Sequence, residues 1–257
     1  MRPLVLNTRP REQAPELSRR LRLAGFEPVE APAIEIVPAW DAGRLVRILG
    51  QLRSGRYAWV VLPSQNAGRI LLEGLMALGG SPSELRHSRV LCGTATAEAL
   101  GLRADRTLAR FSAAAALEAI RPEVSAGEHV LVPGAAEGRE ELVEGLRLIG
   151  VHVDAPVCYR TRPVAARELV QAAELLTAGR VQAVCLTSPL AVQGLLEGLG
   201  PAAAELLARP AIVCIGQTTA DAAKTLGLRV DTIALETSVD SLVQAVQDTL
   251  AARGVAA

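Results

Sequence analysis

The chain has 257 residues, half of them hydrophobic, and its 27 basic and 27 acidic residues cancel to zero net charge. This length suits two small domains, and the neutral balance argues against a nucleic-acid-binding protein, which normally carries a basic excess. Because Phe, Trp and Tyr make up only 2% of the residues, the core must consist of Leu, Val, Ile and Ala, as in a parallel sheet covered by helices.

Targeting and metal-binding signals are missing from the sequence. No apolar stretch reaches the roughly 18 residues of a membrane span, and the first residues pass from a strand pattern directly into a charged helix, so we expect a cytoplasmic protein without a signal peptide. The four cysteines are isolated and mostly lie in apolar runs, which indicates buried free thiols. His87, His129 and His152 have no ligand spacing, so no metal site is expected.

Short β-branched runs alternate with amphipathic helices along nearly the whole chain. The patterns predict strands at 4–8, 26–32, 58–64, 89–94, 129–134, 183–187, 211–215 and 229–234. They predict helices at 11–24, 41–53, 66–80, 95–100, 112–120, 139–150, 164–178, 190–199, 218–226 and 239–251, with an extended segment at 151–161. This alternation is typical of parallel sheets joined by right-handed crossovers.

Three blocks of the sequence occur twice. The stretch "VVLPSQNAGRILLEGL" (60–75) aligns with "VCLTSPLAVQGLLEGL" (184–199), and "CGTATAEALGL" (92–102) resembles "IGQTTADAAKTLGL" (215–228). Residues 4–32 likewise align with 129–156. Because the spacing between the copies is nearly the same in all three blocks, the chain encodes two similar α/β domains.

The order of the blocks leaves two domain arrangements open. A simple tandem would give domains at about 1–125 and 126–257. In an exchanged arrangement, which we favour, the first block joins the last part of the chain. The domains are then 1–34 plus 163–257 and 39–155, and 35–38 and 156–162 are connecting strands. Both connecting regions contain prolines, as interdomain connectors often do.

Four motifs together resemble the uroporphyrinogen-III synthase family. They are "VLNTRPREQ" near the start, "GREELVEGLRLIGVHVDAPVCYRT" in the middle, and then "LTSPLAVQGLL" and "IGQTTADAAKTLGL". They follow the family's order over nearly the whole chain. Three positions depart from the family: Gln65 and Asn66 replace the proline and its neighbour of the first Ser-Pro turn, and Pro133 stands where other members often have an arginine.

The resemblance implies a fold and a reaction. The fold would be two flavodoxin-like, Rossmann-like parallel-sheet domains joined by a two-stranded β-ladder, which favours the exchanged arrangement. The substrate would be hydroxymethylbilane, a flexible linear tetrapyrrole with eight carboxylates. It would lose its terminal hydroxyl as water and close through a spiro intermediate with the last pyrrole ring inverted. The resemblance implies no metal or organic cofactor, and no GxGxxG or P-loop motif is present. We expect a monomer that makes transient contact with the upstream bilane-forming enzyme.

The candidate site residues follow from the position of ligands in open α/β sheets, which bind at the carboxyl ends of strands where helix N-termini point. Two such edges facing each other would form a cleft. The candidate substrate-binding residues are Ser64, Thr96, Gly138, Arg139, Ser188, Thr218 and Thr219, and the family resemblance adds Arg9. Tyr159, in the return connector, is the candidate proton donor to the departing hydroxyl.

Most candidates also have a structural interpretation. Ser64, Ser188, Thr218 and Thr219 are suited to cap helices, and Tyr159 to pack with its hydroxyl at the surface. Arg9 is suited to shape the turn before Pro10, and Arg139 to lie on a solvated surface. Two other functions stay open on the sequence alone. One is a non-catalytic two-lobed α/β module that binds a small anionic ligand, and the other is a group-transfer enzyme that uses a nucleotide donor.

Overall fold

A computed structural model describes residues 2–136 and 140–255 of the chain. By their contacts the residues divide into two compact units. Unit 1 holds the residues up to Glu35 and those from Thr161 onward, and unit 2 holds Ile36–Arg160. Within the described residues, no helix combines the length and apolar character that crossing a bilayer requires.

Short strands and helices alternate over the described residues. The strands are Leu4–Asn7 (β1), Glu27–Glu30 (β2), Ile34–Pro38 (β3), Tyr57–Leu62 (β4), Arg89–Gly93 (β5), Arg106–Leu108 (β6), His129–Leu131 (β7), Gly134–Ala135 (β8), His152–Asp154 (β9), Val157–Pro163 (β10), Val181–Leu186 (β11), Ala211–Cys214 (β12) and Thr232–Ile233 (β13). The α-helices are Ala14–Leu23 (α1), Ala42–Arg53 (α2), Gln65–Ala77 (α3), Thr94–Leu100 (α4), Ala113–Ile120 (α5), Glu140–Leu148 (α6), Val170–Thr177 (α7), Pro189–Leu199 (α8), Ala203–Leu206 (α9), Gln217–Thr225 (α10) and Val239–Ala252 (α11).

Each unit contains a five-stranded sheet whose neighbouring strands pair in parallel. The order is β13-β12-β11-β1-β2 in unit 1 and β6-β5-β4-β7-β9 in unit 2. Apolar clusters of Leu, Val, Ile and Ala cover both faces of each sheet. The predicted fold class, two α/β domains with parallel sheets, is confirmed. The exact domain boundaries given above stay a prediction.

The segments in which the chain changes unit are the strands β3 and β10. They are neighbours in a three-stranded sheet with the order β3-β10-β8. The Ala39 N–H donates to the Cys158 carbonyl, and the Val164 N–H donates to the Ala33 carbonyl, which is an antiparallel pattern. The connector predicted as a two-stranded ladder therefore has a third strand, because β8 pairs in parallel with β10.

Two glycines end equivalent helices of the repeat. Gly25 follows α1 with φ 91°, and Gly150 follows α6 with φ 85°. A residue with a Cβ is strained in this left-handed conformation, so glycine is favoured just past a helix. The predicted helix end at Gly25 is confirmed.

An aspartate anchors the edge strand in each unit. Asp105 precedes β6, and its carboxylate accepts a hydrogen bond of 2.8 Å from the Val90 N–H. Asp231 precedes β13 and accepts one of 2.8 Å from the Ile212 N–H. The repeat seen in the sequence therefore extends to a hydrogen bond that joins the edge strand to its neighbour.

Some element boundaries differ from the sequence-based expectation. The extended segment predicted at 151–161 is two strands of different sheets, β9 and β10, separated by Ala155 and Pro156. Proline lacks the N–H that a continuing ladder needs, which accounts for the break. The helix predicted at 164–178 is a 3-10 turn, Ala166–Leu169, followed by the shorter α7.

Candidate functional site

Two serines begin helices at the carboxyl ends of central strands. Ser64 follows β4 and caps α3, where its hydroxyl accepts a 3.1 Å hydrogen bond from the Ala67 N–H. Ser188 follows β11 and caps α8, accepting 3.1 Å from the Ala191 N–H. Their capping role is therefore established by the structure, and each half-buried hydroxyl keeps a proton to donate elsewhere.

The two threonines of the α10 start differ in exposure. The N-cap of this helix is Gly216, which provides no side-chain hydrogen bond, so Thr218 and Thr219 lie within the first turn of the helix and do not cap it. Thr218 is exposed, whereas Thr219 is only 4% exposed. The helix start therefore offers an exposed hydroxyl beside N–H groups that no N-cap side chain covers, a combination suited to an anion.

The equivalent turn of unit 2 repeats this arrangement at α4. Gly93 is the N-cap without a side-chain hydrogen bond, and Thr96 is 8% exposed and thus buried like Thr219. The exposed hydroxyl in this turn belongs to Thr94, which donates a 3.4 Å hydrogen bond to the Leu108 carbonyl. We call the turns at the carboxyl ends of the strands of each sheet its rim, which includes Ser64 in unit 2 and Ser188 and Thr218 in unit 1. Thr94 is a rim residue of unit 2 that is absent from the candidates predicted from the sequence.

The turn after β1 is held by buried polar groups. Asn7 donates to the Ala14 carbonyl at 2.9 Å, and Thr8 donates to the Cys185 carbonyl at 2.6 Å. Arg9 directs its guanidinium at residues of its own turn, forming an ion pair of 3.1 Å with Glu16 and a hydrogen bond to Gln13. Arg9 thus lies at the expected sheet edge with its charge already partnered.

Tyr159 lies on β10 within unit 2. Its hydroxyl is 3.2 Å from the Ser64 hydroxyl, and the residue is 8% exposed. The ring packs in a small apolar cluster with Ile36, Ala67 and Ile70. The structure therefore brings together two of the predicted site residues, which are far apart in the sequence.

Two further candidates, Gly138 and Arg139, lie outside the described residues. The helix α6 that follows them begins at Glu140.

The loops after the two edge strands also reach these turns. A Cβ added to Gly93 would stand 3.7 Å from the Cβ of Phe111, and one added to Gly216 would stand 3.1 Å from the Thr237 hydroxyl. Neither loop carries a recognisable motif, since β6 and β13 have only three and two residues. Their one sequence signal is the serine that caps the next helix, Ser112 in one loop and Ser238 in the other.

The cysteines are free and buried, as predicted. Burial raises the pKa of the Cys185 and Cys214 thiols to about 12. Burial also raises the pKa of the Cys92 thiol, although a backbone hydrogen bond from Ala97 partly opposes this effect. Thiols with raised pKa values stay protonated and are weak nucleophiles at neutral pH. They are therefore core residues.

A polar cluster lies at the opposite end of the unit 2 sheet. The His129 and His152 rings stack at 4.8 Å, and desolvation followed by the charge of Arg56 lowers the pKa of His129. The Tyr57 hydroxyl donates to Asp154 at 2.8 Å, and burial together with this bond raises its pKa. Within 2–136 and 140–255, no group of three or more His, Cys, Asp or Glu could hold a metal ion.

Comparison with known proteins identifies relatives over nearly the whole chain. The family model described as "Uroporphyrinogen-III synthase HemD" matches residues 15–244. The porphyrin biosynthesis protein HemD of Ruminiclostridium josui is 30% identical over 243 residues. That alignment covers 93% of this chain and 47% of the relative, so the chain spans about half of the relative's length.

A second relative and a solved structure have similar lengths to this chain. Uroporphyrinogen-III synthase of Synechococcus elongatus is 26% identical, with 95% of this chain and 94% of that protein covered. A crystal structure of a mutant uroporphyrinogen III synthase from the extremely thermophilic bacterium Thermus thermophilus has a TM-score of 0.59 at 18% identity, covering 97% and 99% of the two chains. The similarity to this crystal structure supports the two-domain α/β fold of the chain. The family model extends over far more than half of the sequence. The chain therefore belongs to the uroporphyrinogen-III synthase family.

Proposed function

We propose that this chain is a uroporphyrinogen-III synthase that cyclises hydroxymethylbilane without a cofactor. The match of the family model to residues 15–244 carries this proposal. In the proposed reaction the terminal hydroxymethyl carbon loses its hydroxyl, which leaves as water after gaining a proton. The resulting electrophilic carbon is attacked by the last pyrrole ring to form a spiro intermediate. Rearrangement then closes the ring with that pyrrole inverted, and a proton is released.

The rims of the two sheets support binding of a polycarboxylate. Ser64 and Ser188 lie after central strands, and Thr218 has an exposed hydroxyl at a helix start that has no side-chain cap. Hydroxyl and backbone N–H donors bind carboxylates without adding formal charge, which agrees with the zero net charge of the chain. A substrate with eight carboxylates requires many such donors. We assign Ser64, Ser188 and Thr218 to substrate binding on this basis.

Other predicted contacts enter the proposal in different ways. Arg9 would bind substrate only by giving up its ion pair with Glu16. Thr96 and Thr219, being buried, would act by shaping their turns. Gly138 and Arg139 stay in the proposal on the strength of the Gly-Arg-Glu motif alone.

Tyr159 is the proposed proton donor to the departing hydroxyl. Its hydroxyl lies 3.2 Å from that of Ser64, a residue of the proposed binding rim. The Ser64 hydroxyl has one proton to donate to a substrate carboxylate, so it would accept the hydrogen bond of the Tyr159 phenol until the phenol passes its proton to the departing hydroxyl. The leaving group takes the proton and departs as water, so the enzyme would be classed as a hydro-lyase.

We also propose that the enzyme works in the cytoplasm as a monomer within tetrapyrrole biosynthesis. It would receive its unstable substrate through transient contact with the enzyme that forms the bilane. Sedimentation of the purified chain at micromolar concentration should therefore give the mass of a monomer, about 27 kDa.

The product isomer tests the proposed reaction. Freshly generated hydroxymethylbilane is incubated with purified protein, with heat-denatured protein and with buffer, and the products are oxidised and separated by chromatography. We expect mainly the type III isomer with native protein and the type I isomer in both controls. Type I product with native protein, as in the buffer control, would contradict the proposal and favour the non-catalytic binding module.

A further inference from the structure

The loop between β6 and α5 reaches the proposed binding rim of unit 2. Phe111 packs against Gly93 at the start of α4, with 3.7 Å between its Cβ and a Cβ placed on that glycine. The loop is held at both ends, because Thr94 donates to the Leu108 carbonyl and Ser112 accepts 3.1 Å from the Ala115 N–H. Its remaining residues, Ala109 and Arg110, are exposed beside the turn that follows β5.

Arg110 has no hydrogen bond or ion pair within the described part of the chain, and its residue is exposed. Two arginines of the neighbouring strands are used structurally, since Arg89 and Arg106 both pair with Glu123. A guanidinium offers five N–H donors in a planar fork that matches a carboxylate. Arg110 is thus an unused carboxylate-binding group at the rim.

The internal repeat supplies a comparison for this position. Arg110 lies two residues before the helix cap Ser112, and Glu236 lies two residues before the equivalent cap Ser238. Both side chains are exposed. The duplicated loops therefore place opposite charges at matching positions, and only the loop of unit 2 is suited to an anion.

We propose that Arg110 is a specificity-determining residue that binds a carboxylate of the substrate, and that the loop of unit 1, with Glu236, does not bind one. This inference rests on the proposed function, because it takes the substrate to be a polycarboxylate. It assigns a basic contact to the half of the sequence in which Gln65 and Asn66 replace the proline and its neighbour of the family's first Ser-Pro turn. The two similar units are thereby made unequal toward a substrate whose two ends differ.

Kinetics of variants at Arg110, with a control that loses the same charge elsewhere, test whether Arg110 binds the substrate. We expect Arg110→Gln to raise KM for hydroxymethylbilane about tenfold, as the loss of one charge-assisted contact does, with kcat within twofold. The KM of Arg110→Lys should lie between those of wild type and Arg110→Gln, because lysine keeps the positive charge and lacks the planar fork of N–H donors. Arg103→Gln is the matched control. Arg103 is exposed in the same unit, but it lies in the turn from α4 into β6, at the end of the sheet where the strands begin. Arg103→Gln and Glu236→Gln should both leave KM unchanged.

A binding measurement separates this inference from the proposed function. Fluorescence titration with uroporphyrin III, a stable ring with eight carboxylates, gives a Kd that needs no turnover. We expect a Kd about tenfold weaker for Arg110→Gln than for Arg103→Gln, with a difference that shrinks in high salt. Equal effects of the two variants on Kd would overturn the inference even if the wild type forms the type III isomer. If Arg110→Gln binds uroporphyrin III more weakly and Arg103→Gln does not, Arg110 binds a carboxylate, even if the wild type forms no type III isomer.

Discussion

Tyr159 and Ser64 share a hydrogen bond, with their oxygen atoms 3.2 Å apart. The first residue belongs to the connecting strand β10 and the second caps α3 at the end of a central strand. The contact joins residues whose side chains have different proposed roles, proton donation and substrate binding. Tyr159→Phe removes the phenol hydroxyl and leaves the Ser64 hydroxyl in place, so it tests proton donation while the Ser64 side chain is kept.

Replacing Tyr159 by phenylalanine should slow cyclisation and leave the fold intact. We expect kcat to fall only about tenfold, less than the roughly hundredfold or larger effects typical of general-acid catalysis, because the substrate readily loses water by itself. Single-turnover measurement of type III formation gives this rate. Tyr57→Phe is the matched control: its hydroxyl is bonded to Asp154 and Gln51, so it should lower Tm and leave kcat unchanged. An unchanged rate for Tyr159→Phe would remove this residue from the mechanism.

Two substitutions of Ser188 separate helix capping from substrate binding. Asn and Asp both cap helices well, so either variant should unfold within about 0.5 kcal/mol of wild type, whereas Ser188→Ala should lose about 1 kcal/mol. Ser188→Asp also adds a negative charge where we place substrate carboxylates. We therefore expect it to raise KM well above that of Ser188→Asn. Equal KM values for the two variants would place the substrate elsewhere.

The exposed and buried threonines of α10 should differ in effect. Thr218→Val removes an exposed hydroxyl at nearly constant shape, so we expect KM to rise several-fold with little change in Tm. Thr219→Val changes a side chain that is 4% exposed and should leave KM near wild type. Steady-state kinetics of Thr218→Val and Thr219→Val measure the two KM values. A larger KM effect from Thr219→Val would show that our assignment within this turn is reversed.

Asp231 should make stability depend on acid pH. Desolvation raises its pKa, but hydrogen bonds from the Ile212 N–H, Arg229 and Arg253 together outweigh this and hold the pKa below its ordinary value. Because the folded pKa is the lower one, the stabilisation is complete above about pH 4, the unfolded value, and is lost as pH falls through the folded pKa. Asp231→Asn should cost about 1 kcal/mol at pH 7, since the ion pairs are partly exposed.

Urea unfolding of wild type and Asp231→Asn between pH 3 and pH 7 checks this dependence. The difference in unfolding free energy should narrow below pH 4. Asp105→Asn is the control, because Asp105 makes the equivalent bond to the Val90 N–H, which an asparagine oxygen can replace. A gap between wild type and Asp231→Asn that stays constant down to pH 3 would contradict the assignment.

Gly194 should be the least replaceable helical glycine of unit 1. A Cβ at this position of α8 would lie 2.2 Å from the carbonyl oxygen of Ala33, which is backbone and has little freedom to move. We expect Gly194→Ala to destabilise the protein by about 2 kcal/mol or more. Gly50→Ala, in α2 with no atom within 4 Å of the added Cβ, should instead stabilise by about 0.5–1 kcal/mol. Thermal unfolding of both variants tests this, and a stable Gly194→Ala would refute the close approach.

Much of the fold could be predicted because local rules and the repeat agree. Gly25 and Gly150 end equivalent helices by the same left-handed conformation, and Ser64 and Ser188 begin helices as caps. These are local features, so short stretches of sequence suffice to predict them. The three-residue edge strand β6 could not be predicted, because so short a segment has no readable periodicity.

The site was harder to predict because it depends on positions within a turn and on distant contacts. Which threonine of α10 is exposed depends on the helix beginning at Gly216, and a shift of one residue rotates each side chain by about 100°. Tyr159 and Ser64 are 95 residues apart in the sequence. Arg110 lies in a loop without a motif, and only the packing of its neighbour Phe111 beside Gly93 places this loop next to the start of α4.

The isomer ratio of the product is the sharpest test of the proposed cyclisation. Native protein is added over a range of concentrations to freshly generated hydroxymethylbilane, and the oxidised products are separated. We expect the type III fraction to rise with enzyme concentration until type III replaces type I. A type I product at every concentration, formed at the rate seen in buffer, would contradict the proposed function.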